Sequence, residues 1–221
     1  QLLGAAGAMV SGAVANFVEE PETVMNDLRE VAPQFLMFGS RQWESLASTI
    51  QAKITDTSAP KRWLYNVGLA IGYKIVDMRF AQEKVSGFWK ILGSIPNLAV
   101  HRPLRDKVGL TRIRAAITGG AFTAPDVVRL FRAIGVNIKN AYGLTEHVAL
   151  IWARVDDARP ETLGLPLPTI EIGITDDSEI VIRSNHSFTG YYKNPEETKK
   201  TLDTEGWLHT GDGGFINEDG H

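Results

Sequence analysis

Two short stretches hold the residues best suited to chemistry: Asn140-Ala141-Tyr142-Gly143-Leu144-Thr145-Glu146 and Gly206-Trp207-Leu208-His209-Thr210-Gly211-Asp212. Each packs an aromatic ring, a glycine, a hydroxyl and a carboxylate into about one turn. Those groups can hold a nucleotide. A ring offers a flat face to a purine, and a threonine hydroxyl can donate to a phosphate oxygen. A carboxylate can give a hard oxygen to Mg²⁺ alongside substrate phosphates or accept ribose hydroxyls. Gly143 lets the backbone turn closely around the ring. Singly, these signals are weak. Residues 140–146 read equally well as a tyrosine turn with a capping Thr-Glu pair, and Asp212 alone is better read as a solvated turn aspartate. Together, in this order, they point to a nucleotide-using site.

The elements that must position these groups can be read from periodicity. Residues 1–150 alternate short apolar runs with helical patterns, as in a mainly parallel sheet covered by helices. Met9–Val14 is expected to be a buried strand. Glu22–Val31 is expected to be a helix with Val24, Leu28 and Val31 on one face, and Gln34–Phe38 a strand closed by Gly39. From about residue 44 to 110 the pattern is helical, with Leu46, Ile50 and Ile54, then Leu64, Val67, Ile71 and Ile75, on apolar faces. This is too long for a crossover and reads as a helical insertion. Phe88, Trp89, Ile91 and Leu92 with Lys90 could make an interfacial membrane patch; core packing is the preferred reading.

Ile113–Ile117 then reads as a central strand opening into Thr118-Gly119-Gly120-Ala121. The glycine pair allows close backbone approach to a ligand; taken alone, it is better read as the turn before a helix. Thr123 is a candidate cap for that helix, with Pro125 early in it and Val127, Leu130, Phe131 and Ile134 on its apolar face. Gly135 ends it, and Val136–Ile138 lead as a strand into the first key stretch. Ligands of such sheets bind beyond the carboxyl ends of the strands, so both turns can face one crevice. After residue 150 the grammar changes. Thr169–Ile174 and Glu179–Arg183 alternate around Thr175-Asp176-Asp177-Ser178, an antiparallel hairpin in a small β-rich subdomain covering residues 151–221. A short helix follows, capped by Asn194 with Glu197 three residues on. Phe215–Gly220 reads as a strand entering a tight turn.

The 221 residues, 43% hydrophobic and 22% charged, suit a globular α/β protein. A net charge of −3 without a basic stripe gives no reason to invoke nucleic acid. With no cysteine, thiolate catalysis and Cys-ligated zinc are excluded, and the composition is compatible with the cytoplasm. No apolar run approaches the roughly 20 residues of a membrane span. The five histidines lack metal-ligand spacing, and His209 is expected to support its neighbours through a hydrogen bond. Lys193, Lys199 and Lys200 are read as solvated. The missing initiator Met and the unreturned strand at residues 215–220 suggest a piece of a longer protein.

Tyr142-Gly143-Leu144-Thr145-Glu146 with Trp207-Leu208-His209-Thr210-Gly211-Asp212 resembles the adenylate-forming superfamily of acyl-CoA synthetases, luciferases and peptide-synthetase adenylation domains. Thr118–Ala121, Gly164–Pro168 and Gly190–Pro195 resemble further stretches typical of it. Glu30–Gln34 leading to Arg41-Gln42-Trp43-Glu44, followed by the helical insertion, is most similar to the long-chain fatty acid–CoA ligase branch. Ser40 departs from the Pro usual there, in a loop away from the chemistry.

The resemblance implies that Tyr142 stacks on adenine, with Asn140, Ala141, Gly143 and the Gly119-Gly120-Ala121 turn around the nucleotide. It implies that Thr145 contacts phosphate, Glu146 holds Mg²⁺ and Asp212 binds ribose. The implied reaction joins a fatty acid to coenzyme A through an acyl-adenylate at the expense of ATP. Alternatives within this reading are an aryl, medium-chain or very-long-chain acid, or a non-catalytic nucleotide-binding relative. The family's phosphate loop would precede Gln1 and its smaller domain, with the adenylation lysine, would follow His221, so these residues alone are expected to lack full activity. A homodimer and peripheral membrane contact are both compatible with this reading.

Overall fold

The computed structural model describes residues 2–147, 151–152, 159 and 161–221. Three parallel strands form its centre: β1 (Phe35–Gly39), β2 (Ala115–Gly119) and β3 (Ile138–Tyr142). Two short antiparallel strands, β4 (Ile151–Trp152) and β5 (Leu165–Pro166), extend this sheet in the order β1-β2-β3-β4-β5. A second, antiparallel sheet holds β6 (Glu171–Ile174), β7 (Glu179–Arg183) and β8 (Leu208–Gly213). The mixed α/β class expected from the sequence is the one observed.

Between β1 and β2 lies the helical insertion. It runs through α3 (Ser40–Thr55), α4 (Ala59–Phe80) and α5 (Gly87–Pro96), then a π-turn (Asn97–His101) continuing into α6 (Arg102–Lys107). Leu46, Ile50 and Ile54 are buried, as their spacing predicts. Trp43 anchors this layer. Its indole is fully buried, packs edge-on against Phe131 at 4.8 Å between ring centres, and donates from Nε1 to the Ile117 carbonyl at 3.1 Å. That bond ties α3 to β2 while satisfying the one polar atom the ring buries. Phe131 comes from α7 (Pro125–Ala133), which closes the sheet's other connection.

Several expectations are corrected. Met9–Val14 is not a buried strand: α1 (Leu2–Ser11) is helical, Gly12 ends it at φ +68°, and Met9, Val10 and Val14 are exposed. The alanine-rich run at residues 5–8 favours helix, and local propensity outweighed the short apolar pattern. The helix read from Glu22 is α2 (Val24–Val31); Leu28 is buried but Val31 is exposed. On α4 the buried side is Gly68, Gly72 and Val76, while Leu64 and Val67 face outward. The glycines decide this. A Cβ on Gly68 would lie 3.2 Å from Val100, and one on Gly72 would lie 2.6 Å from the Ala133 carbonyl oxygen. Backbones approach closely on that face, so the smallest residues must occupy it.

Thr123 does not cap α7, whose N-cap is Ala124 without a side-chain bond. Its hydroxyl instead meets that of Thr118 at 2.6 Å, both residues being buried. A buried hydroxyl on β2 needs a partner more than the helix end needs a cap. Phe215–Gly220 forms no strand: the Gly220 N–H donates to the Asn217 carbonyl in a turn, and Phe215 is exposed. Phe88 and Ile91 are exposed, not core. The predicted helix cap holds: Asn194 Oδ1 accepts from the Glu197 N–H at 3.2 Å and opens α8 (Pro195–Thr201).

Candidate nucleotide site at the strand ends

The carboxyl ends of β1, β2 and β3 lie side by side, with Gly39 opposite Gly119 and Thr118 opposite Asn140. Gly119 ends β2 because the neighbouring strand is close. A Cβ there would sit 2.9 Å from the Ala141 carbonyl oxygen. Gly120 follows with φ +81° and open space around it, so its glycine serves conformation, not clearance. The exposed Ala121 continues this turn, which the Thr118–Thr123 hydroxyl pair pins from behind.

On β3, Asn140 is buried and donates from Nδ2 to the Thr162 carbonyl at 2.9 Å. Tyr142 is half-buried and packs against the second apolar cluster of Ile151, Ile170, Ile180 and Ile182. Its hydroxyl donates to Asp212 Oδ2 at 2.6 Å. The two stretches singled out in the sequence, 70 residues apart, therefore meet. Burial and the Asp212 carboxylate push the phenol well above its ordinary range, so it remains an O–H donor at neutral pH. Asp212 stays exposed despite this bond.

The turn after β3 exposes Gly143 and Thr145. Its far end is fastened. His147 is buried with Nε2 at 2.6 Å from Ser184 Oγ, and the Glu146 carbonyl accepts from the Phe188 N–H at 2.8 Å. Glu146 Oε1 accepts from the Tyr191 hydroxyl at 2.7 Å.

Glu179 organises the end of β8 that carries Asp212. Its Oε2 lies 2.9 Å from His209 Nδ1 and its Oε1 accepts from the Gly211 N–H at 2.8 Å. The hydrogen bond to Glu179 raises the His209 pKa, and the same bond lowers that of Glu179. Thr210 donates to the Ile180 carbonyl at 2.7 Å and accepts from the Asp212 N–H at 3.1 Å. His209 thus has the supporting role expected of it.

The structure gathers Asn140, Ala141, Tyr142 and Gly119 around adjoining strand ends and brings Asp212 onto Tyr142. Thr145 and Glu146 lie one turn further along, with Glu146 held to Tyr191 and not to the Tyr142–Asp212 pair. Glu179, Tyr191 and Ser184 were not anticipated as site residues. Tyr191 lay within a stretch already singled out, and an aromatic hydroxyl there was the available signal. Glu179 and Ser184 act only through pairing of β7 with β8 and through the turn beyond β7, which no spacing in the sequence reveals.

Among the described residues no group of three His, Cys, Asp or Glu side chains could hold a metal. A lone carboxylate such as Glu146 instead suits Mg²⁺, which keeps waters and takes substrate phosphates as ligands.

The five-stranded sheet thus presents a ring, glycine turns and a carboxylate at its strand ends, and an aspartate from the antiparallel sheet joins the ring. Residues 1–192 match the family of AMP-binding enzymes, and the chain belongs to that family. It is 27% identical to a chloroplastic long-chain-fatty-acid–acyl-carrier-protein ligase of Arabidopsis thaliana, over 86% of this chain and 31% of the relative. It is 36% identical to 4-coumarate–CoA ligase-like 9 of Oryza sativa subsp. japonica, over 55% of this chain and 26% of the relative. The amide bond synthetase McbA from Marinactinospora thermotolerans shares the fold, with a TM-score of 0.57 and 23% identity, over 100% of this chain and 38% of that one. The chain spans about a third of the length of the curated relatives it matches.

Proposed function

We propose that the full-length protein is an ATP-dependent fatty acid–CoA ligase, and that these residues form part of its nucleotide- and acyl-binding lobe with an adjoining β-rich subdomain. The observation that carries this reading is the 2.6 Å bond from the Tyr142 hydroxyl to Asp212. It brings the ring of one key stretch onto the carboxylate of the other, which supports reading the first as the purine-stacking face and the second as the ribose ligand. Tyr142 stacks on adenine, bordered by Asn140, Ala141 and the turn Gly119-Gly120-Ala121. Asp212 accepts the ribose hydroxyls, and Thr145 donates to phosphate.

In the reaction a fatty carboxylate oxygen attacks the α-phosphorus of ATP. The bond between that phosphorus and the bridging oxygen breaks, and pyrophosphate leaves with the electron pair. Coenzyme A sulfur then attacks the acyl carbon, its thiol proton passing to solvent, and AMP departs. The first step brings an anion onto a polyanion, so it depends on charge neutralisation and in-line positioning. Glu146 would hold a Mg²⁺ ion that supplies the neutralisation. Gly143 lets the backbone turn closely around the nucleotide, Gly120 gives the turn after β2 its positive φ, and Thr145 fixes the phosphate line.

An aryl acid is the second reading, favoured by the 36% identity to the 4-coumarate–CoA ligase-like relative. Medium-chain and very-long-chain acids belong to the same test. ATP–pyrophosphate exchange by the full-length protein, with fatty acids of graded length and one hydroxycinnamate, separates them. Exchange is expected to rise with long-chain acids. Exchange with the aryl acid alone would replace the fatty substrate, and ATP binding without exchange would make the protein a non-catalytic relative.

A further inference from the structure

The side of α5 turned away from the core carries an unpartnered apolar stripe. Phe88, Ile91, Ile95 and Leu98 recur three and four residues apart along α5 and the π-turn. They are 67, 71, 65 and 68% exposed. This is the spacing of one helical face, so the four side chains form a row and not a scatter. The opposite side of the helix is committed: Gly93 abuts Ile75, Val100 fills the space beside Gly68, and His101 Nε2 lies 3.1 Å from the Gly68 carbonyl oxygen. These contacts run α5 antiparallel to α4. They set the exposed Trp63, Leu64 and Val67 of α4 at the end where Leu98 lies.

The charge around the stripe decides what would cover it. Between residues 58 and 105 the sequence has eight Lys or Arg against Asp77 and Glu83, although the whole chain carries a net charge of −3. Asp77 is already bound to Arg129 at 2.7 Å. Lys84, Lys90 and Arg102, which flank or interrupt the row, are exposed. A second copy of the same face would bring like charges together. An apolar row edged by cations, with Phe at one end and Trp89 beside it, instead complements a surface that is apolar beneath and anionic above.

We propose that α5 and the adjoining π-turn form a peripheral docking face for anionic lipid bilayers. Phe88, Ile91, Ile95 and Leu98 enter the acyl boundary, while Lys84, Lys90 and Arg102 meet phosphate headgroups. This goes beyond the ligase reading and needs no turnover, so either can fail while the other stands.

The test is flotation of the full-length protein with phosphatidylcholine vesicles, with and without phosphatidylglycerol. Binding is expected only to the anionic vesicles and should weaken as salt rises past the range where surface charges are screened. Phe88→Ser with Ile91→Ser should lower binding about tenfold or more, and Lys84→Glu with Lys90→Glu should act in the same direction. Both pairs lie at exposed positions, so circular dichroism and ATP binding should be unchanged. Binding that is absent at low salt, or that both double variants retain at the level of the unaltered protein, overturns the proposal. So does a doubled mass in solution that Phe88→Ser with Ile91→Ser reverses, since a second copy then covers the face. The chain has no cysteine, so thiol labelling of Phe88→Cys or Ile91→Cys reads the face directly, and resistance to labelling in the lipid-free full-length protein overturns the proposal too, because another part of the same polypeptide then lies on the stripe.

Discussion

Glu146 is held from two directions by one neighbouring segment. The Phe188 N–H fixes its backbone carbonyl, and the Tyr191 hydroxyl fixes one carboxylate oxygen. Phe188 and Tyr191 stack edge-on at 4.9 Å, and the Tyr191 N–H is anchored on Thr198 Oγ1 at 2.9 Å. If Glu146 holds Mg²⁺, Tyr191 is a positioning residue that acts through it, because a partner of a metal ligand orients the ligand and adjusts its basicity. Tyr191→Phe in the full-length protein is therefore expected to raise the Mg²⁺ concentration for half-maximal exchange about tenfold or more, with an unchanged melting temperature. Glu146→Ala should weaken Mg²⁺-dependent exchange far more than it weakens folding. Combined, the two changes should cost no more than Glu146→Ala alone, since an intermediary has nothing left to act on. A full additional penalty in the double variant would show that Tyr191 works independently, and unchanged exchange in Glu146→Ala would remove Glu146 from the metal site.

At the scale of elements, the join between α4 and α7 sets how firmly the helical layer lies on the sheet. Gly72 faces Ala133, and close by Arg129 makes paired bonds of 2.7 Å to both oxygens of Asp77 while its guanidinium lies 4.4 Å above the Tyr73 ring. Gly72→Ala has two opposing effects. Replacing a mid-helix glycine stabilises by about 1 kcal/mol, whereas overpacking a tight contact costs about 1–3 kcal/mol. The obstacle is a backbone carbonyl oxygen only 2.6 Å from the new methyl, and it cannot rotate away. Overpacking should win, lowering the urea midpoint without changing the slope; a midpoint that rises would mean the helices can part at little cost.

This join also shows what the sequence made legible. The helical spacing of Leu46, Ile50 and Ile54, the strand β1 and the Asn194 cap rest on local periodicity and local bonds and are legible, whereas β3 runs over Ile138–Tyr142, later than the Val136–Ile138 read for it. The face of α4 was missed because its closest contacts belong to Gly68 and Gly72, which hydrophobic patterning counts as blanks. Thr123 was misread because its partner Thr118 lies on a strand, and α1 because an Ala-rich run ending in Met-Val satisfies both strand and helix patterns. Within the site, Tyr142 and Asp212 carried recognisable neighbours. Glu179 did not, since its role exists only once β7 and β8 are paired.

Across the whole molecule, the candidate site lies where the two sheets meet. Tyr142 comes from the five-stranded sheet and Asp212 from the three-stranded one. His147 to Ser184 and Glu146 to Phe188 tie the following turn to the segment after β7. A nucleotide touching both Tyr142 and Asp212 must then stabilise both sheets together, and only by its affinity for the folded form. At a hundredfold excess over the dissociation constant that linkage contributes about 2.7 kcal/mol. Adding AMP to the full-length protein should raise its melting temperature and slow amide exchange in two separated segments, residues 140–146 and 208–213. Asp212→Ala should weaken AMP binding and abolish the protection at residues 208–213 even when AMP is raised to restore occupancy. Tyr142→Phe keeps the stacking ring and should retain protection at residues 140–146, while loosening residues 208–213 in the free protein, where the hydroxyl is their tether to the first sheet. Protection confined to residues 140–146 in the unaltered protein would mean that the nucleotide is held by one sheet, and Asp212 would then be a tether for Tyr142, not a ligand for ribose.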